Sequence, residues 1–87
     1  MATHKHIILG VHVTDRLKDA VKVQAVFTEF GCNIKTRIGL HDVNGEVCSG
    51  TGVVLLEIVG ADDVAQTIAD RLNAIEGVQT QMMAFAH

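Results

Sequence analysis

The sequence predicts an α+β sandwich in which two helices cover one face of a four-stranded antiparallel sheet. Three observations lead there. Along the 87 residues the apolar period switches in the order strand, helix, strand, strand, helix, strand. The interval from Val13 to Gly31 recurs from Val59 to Gly77, 18 positions each time, so the two halves repeat in spacing though hardly in identity. Asn44-Gly45 lies between the middle strands, where both residues tolerate the positive φ of a hairpin turn. That is the pattern of a split βαβ pair, and the expected fold is a ferredoxin-like βαββαβ sandwich forming one domain over 1–87.

Each element has its own warrant. From His6 to Val13 the chain alternates, placing Ile7, Leu9, Val11 and Val13 on one face and His6, Ile8, Gly10 and His12 on the other. Thr14 and Asp15 are N-cap candidates for a helix over 16–30, whose stripe is Leu17, Ala20, Val23, Phe27 and Phe30. Gly31 suits a left-handed residue just past its end. The second strand sets Ile34, Thr36, Ile38 and Leu40 against Lys35 and Arg37. The third, Val53 to Val59, is almost unbroken apolar sequence and suits a central position. A second helix over 62–76 carries the stripe Ala61, Val64, Ala65, Ile68, Leu72 and Ile75, with Asp62 and Asp63 near its positive end. Gly77 ends it, and Val78 to Phe85 is the fourth strand.

One conflict arises within this pattern. A regular Asn44-Gly45 hairpin sets Leu55 opposite Ile34 and Val53 opposite Thr36, which turns Glu57 into the core. A lone buried charge costs several kcal/mol, so a β-bulge that reverses the face is expected, with Gly50 and Gly52 as its sites. The core then takes Val54, Leu56 and Ile58.

Composition narrows the function classes. A formal net charge of −3 argues against a nucleic-acid footprint. No apolar run spans a bilayer, no cleavable leader is evident, and Cys32 and Cys48 are too few for a disulfide scaffold. A cytoplasmic protein without a cofactor is expected. The helix-free face carries Ile8, Val53, Leu55, Val59, Met83 and Phe85, together with His6, His12, Lys35, Arg37 and Glu57. So apolar a face on a small domain predicts a homo-oligomer, a dimer or tetramer, formed through that face or through edge strands two and four. Glu57 is expected to pair with Arg37, Lys35 or a histidine.

Three candidate sites follow. Thr14-Asp15-Arg16 can receive an anionic effector on the first amides of the helix, with Arg16 as a carboxylate clamp. His41 and Cys48 fall opposite each other in a regular hairpin, beside Asp42, and begin a metal site that a second subunit would complete. His12 or His6 with Glu57 could act as a general base pair in a small dimeric barrel enzyme. Gly50-Thr51-Gly52 leads into a strand rather than a helix and lacks the mechanism of a phosphate loop.

Val13-Thr14-Asp15-Arg16, Phe30-Gly31-Cys32-Asn33-Ile34, Arg37-Ile38-Gly39-Leu40 and Leu72-Asn73-Ala74-Ile75-Glu76-Gly77-Val78 resemble ACT-type regulatory domains, and more closely the small iron-only hydrogenase system regulators. The resemblance covers roughly residues 7–84. It implies an ACT-like fold, oligomerisation and effector binding at the first strand–helix junction, at Asp15, Arg16, Asn33 and Ile34. Arg16-Leu17-Lys18 departs from the glycine that amino-acid-binding ACT domains carry in that loop, and the segment from Leu40 to Gly52 departs from the closer family's Pro-containing turn. The leading expectation is a non-enzymatic oligomeric regulator that binds a small effector at a subunit interface and acts through a protein partner. A His41/Cys48 metal sensor and a His12/Glu57 enzyme are the alternatives.

Overall fold

The computed structural model describes residues 5–14, 16–44 and 47–86, with side chains described for 6–14, 19–39, 52–61 and 63–86. Within them the chain runs β1 (Lys5–Val13), α1 (Arg16–Glu29), a 3₁₀ turn (Gly31–Asn33), β2 (Ile34–Asn44), β3 (Val47–Ile58), α2 (Asp62–Asn73) and β4 (Val78–Ala86). The strands form one antiparallel sheet in the order β2-β3-β1-β4, and both helices pack on the same face. This is the expected ferredoxin-like arrangement.

Alternation in β1 places Ile7, Leu9, Val11 and Val13 in the core, where Leu9 and Val11 are fully buried. The register Ile7↔Ile58, Leu9↔Leu56 and Val11↔Val54 sets the predicted β3 residues on the same side. Val23, Val26 and Phe27 from α1 and Ala65, Ile68, Ala69 and Leu72 from α2 close over them. Arg71 of α2 makes a bidentate pair with Glu29 of α1, at 2.7 and 2.6 Å, and its guanidinium lies 5.8 Å from the Phe30 ring centroid. Both partners are about half exposed, so water screens the pair and it adds little to the stability of the fold.

Four details correct the sequence reading. α1 stops at Glu29 and α2 at Asn73, each short of the apolar stripe's end. Gly31 is not left-handed; it begins the 3₁₀ turn, and the positive-φ glycines among the described residues are Gly60 and Gly77. The face-reversing bulge lies in β2 rather than at Gly50 or Gly52. Ile34 pairs with Ile58 but Thr36 pairs with Glu57, leaving Lys35 as the extra residue. A second irregularity, between His41↔Gly52 and Val43↔Cys48, involves two extra residues on β3 and reverses nothing by itself.

The bulge has a simple cause. Ile34 packs at the core's edge beside Ile58, whereas Glu57 must stay out of the core. Only an odd insertion satisfies both. Its consequence is that Thr36 and Ile38 share the helix-free face with Glu57 and Leu55, while Arg37 turns toward the helices. Past Gly52, β3 has β2 alone beside it among the described pairings, so the hairpin extends beyond the sheet as a two-stranded ribbon.

Candidate functional site

The helix-free face of the sheet has no layer packed against it among the described residues. Across its middle run Ile38 of β2, Leu55 and Val53 of β3, Ile8 of β1 and Met83 of β4, with Phe85 opposite His6 at one end. Ile38, Met83 and Phe85 are each about half exposed, at 51%, 55% and 52%. Three large apolar side chains this open on one sheet face are what a monomer in water avoids.

The same end carries a carboxylate whose two oxygens are both engaged. His6 Nε2 lies 2.8 Å from Glu57 Oε2, and Thr36 Oγ1 donates to Glu57 Oε1 at 2.9 Å. These two bonds, that from Thr36 foremost, hold the Glu57 carboxyl below its ordinary value of 4.5; the charges of Lys35 and His6 add to them, and partial burial works against them. Of the partners expected from sequence, the histidine is the one bonded, Lys35 acts at longer range, and Arg37 is on the other side of the sheet. Thr36 went unforeseen because its position on this face depends on the bulge.

A pH dependence follows. Glu57 ionises in the folded chain at a lower pH than when unfolded, so its contribution is complete above the ordinary carboxylate range and disappears as pH falls through its lowered value. Glu57→Gln should therefore flatten part of the loss of thermal stability on acidification below the ordinary carboxylate range without altering the neutral-pH fold. Melting curves across that range check it; an unchanged acid slope would contradict the assignment.

At the other end, Gly10, His12, Val53, Gln79 and Gln81 line a shallow depression of about 290 Å³. His12 pairs with Val53 and Gln79, whereas Glu57 pairs with Ile8, four residues along the strand and roughly 13 Å away. The expected His12/Glu57 base pair is thus not assembled within one subunit, and His6 takes that place beside the carboxylate.

The remaining sequence candidates fall elsewhere. The Thr14 amide donates to the Gly77 carbonyl at 2.9 Å, which ties the β1–α1 junction to the turn before β4. Asp19, 3% exposed in the first turn of α1, reaches this junction, since a Cβ on Gly77 would stand 3.1 Å from its Oδ2. A buried carboxylate at the positive end of the helix competes with the anionic effector expected there. Asp15 and the Arg16 side chain lie outside the described residues. Asn33 serves as a clamp: its carbonyl accepts from Val59 N at 2.8 Å and its Nδ2 donates to Val59 O at 2.9 Å. Ile34 packs against the core. His41 pairs with Gly52 and Cys48 with Val43, so the register does not set the two candidate ligands opposite each other; their side chains lie outside the described residues.

This topology has known counterparts. The uncharacterized protein TM1266 from Thermotoga maritima overlays with a TM-score of 0.78 at 24% identity, covering 94% of this chain and 99% of that one. The chain has a ferredoxin-like α+β fold. CPII, a nitrogen regulatory PII-like protein from Thiomonas intermedia K12 solved with ADP, AMP and bicarbonate, overlays with a TM-score of 0.61 at 5% identity, covering 99% and 96% of the two chains. No protein-family model matches the sequence, and no curated protein matches it. Among the described residues, no helix is long and apolar enough to cross a membrane.

Proposed function

We propose that the chain is a regulatory domain without catalytic chemistry, self-associating through its helix-free sheet face and reporting a small effector to a protein partner. The observation that carries this reading is the open row Ile38, Met83 and Phe85, continuous with half-buried Ile8, Val53 and Leu55. A second copy suits this face. The one carboxylate described on it has both oxygens bonded, so two such faces bring no unpaired like charges together. An 87-residue domain also gains the burial that its own core is too small to provide.

A subunit interface gives an effector two arrangements to choose between, and a partner can read the choice. That the same fold serves a nitrogen regulatory PII-like protein bound to ADP, AMP and bicarbonate supports a role of this class. The resemblance to iron-only hydrogenase system regulators suggests the setting, in a reducing cytoplasm.

Sedimentation of the untagged protein tests the reading. The wild type should sediment as a dimer or larger at about 100 µM. Ile38→Glu/Met83→Glu should weaken association at least about a hundredfold, because each buried apolar side chain contributes roughly 1.5–3 kcal/mol and a symmetric interface loses it twice. Both residues are half exposed in the single chain, so the variant should keep its far-ultraviolet spectrum. A monomeric wild type, or a variant of unchanged size, would overturn the proposal.

A further inference from the structure

On the opposite face of the sheet, the β2 bulge brings two cations together. Lys35 is the bulge residue, and Arg37, reversed by it, lies over the helix side of the edge strand. Together with Phe27, Gly31 and Ile34 they line a depression of about 200 Å³. Nothing stands within 4 Å of where a Gly31 side chain would begin, so the entrance is open.

The two arginines whose side chains are described, Arg37 and Arg71, are held differently. Arg71 is neutralised by the bidentate contact with Glu29. Arg37 has no carboxylate partner among the described residues; its Nη1 donates to the neutral Gln24 Oε1 at 3.4 Å, and its guanidinium lies 5.5 Å from the centroid of Phe27. Phe27 is itself 6% exposed and anchored in the core, so the aromatic face restrains the guanidinium while leaving donors to spare. Glu57, whose carboxyl responds to Lys35, faces the other side of the sheet with both oxygens already bonded. Among the described residues, no acidic one lines the depression.

We propose that Lys35 and Arg37 form a binding site for a small oxyanion, the phosphate or carboxylate group of an effector. A restrained guanidinium matches two oxygens in its plane, the ammonium supplies a movable second charge, and Ile34 with Phe27 forms an apolar floor. This names the effector chemistry of the regulator proposed above and rests on that reading for its consequence, while binding itself needs a single chain.

Amide NMR of the isotope-labelled protein tests it, with inorganic phosphate and acetate titrated separately at constant ionic strength against chloride. Saturable shifts confined to residues 27–37 are expected for at least one anion, and the arm that saturates identifies the group. Arg37→Gln should weaken binding about tenfold or more, whereas Lys22→Gln, an equal charge change elsewhere on exposed α1, should leave it unaltered. The spectrum of each variant reports its folding in the same experiment. Neither anion saturating, or equal weakening by both substitutions, would overturn the site. Sedimentation of the same samples reads the oligomer separately, so a monomer that binds would refute the assembly and not the site.

Discussion

Deleting Gly39 is expected to destabilise the domain by about 1–3 kcal/mol, whereas deleting Lys35 should change stability by less than about 1 kcal/mol. Both deletions leave a β2 that can run against β3 without a bulge, and they differ in which faces survive. With Lys35 gone, Ile34 and Thr36 become consecutive, so a regular ladder keeps Ile34 beside Ile58, Thr36 beside Glu57 and Arg37 on the helix side. With Gly39 gone, a regular ladder from Ile34↔Ile58 to Leu40↔Val53 moves residues 35–38 by one. Thr36 then leaves Glu57, losing a hydrogen bond worth about 1 kcal/mol, while Ile38 turns toward the helices and Arg37 away from Phe27. Urea unfolding of the two variants provides the comparison. A loss of about 3 kcal/mol or more on deleting Lys35, or equal losses for both, would show that Lys35 is not the extra residue of the bulge.

Gly60→Ala should cost about 2–4 kcal/mol. Gly60 has φ +123°, a backbone region that side chains rarely adopt, and a Cβ there would stand 2.5 Å from Asn33 Nδ2. The strain amounts to roughly 1–3 kcal/mol. The clash additionally drives the amide off the Val59 carbonyl, removing a hydrogen bond worth about 1 kcal/mol. For a domain of this size that corresponds to a melting temperature lowered by roughly 10–25 °C. Asn33→Ala alone should cost about 1 kcal/mol. Combined with Gly60→Ala it should cost less than the sum, because the shorter side chain removes the clash while the φ strain persists. Strict additivity across this double-mutant cycle would show that the two positions are not in contact and that the clamp is misassigned. The cycle also bears on function, since the ACT-like resemblance implies an effector role for Asn33 and the geometry assigns it to joining β2 to the turn after β3.

The elements legible in the sequence were those whose signal is local. Alternation in β1 identified its buried and open faces, and the apolar stripe of α2 identified Ile68 and Leu72 as core. Exclusion of Glu57 from the core demanded an odd insertion, and one is present, in β2 rather than in β3. The sequence offered no means of choosing between the strands, because Gly50 and Gly52 looked permissive whereas Ile34-Lys35-Thr36 looked like regular alternation. That choice rests on Ile34 meeting Ile58 and on Asn33 meeting Val59, contacts between residues more than twenty positions apart. Arg37 was assigned the wrong face for the same reason, and Thr36 was missed as the donor to Glu57. The helix length was overread because an apolar stripe continues past the last turn into Phe30 and Ile75, which pack against the core from beyond the ends of their helices.

The sequence by itself determined the βαββαβ order, the core residues of β1 and most of those of β3 and α2, and an apolar helix-free face. These follow from period and polarity, which are properties of neighbouring residues and survive without knowledge of the rest of the chain. On α1 the same reading placed Ala20 in the core, where it is exposed, and missed Val26. Only the tertiary structure decided that His6 and Thr36 hold Glu57, that His12 stands apart from it, and that Lys35 and Arg37 share a depression with Phe27. Each depends on strand register, and a one-residue shift sends a side chain to the opposite face of the sheet. That register is set where distant segments compete for the same core position, a contest that no local window of sequence contains.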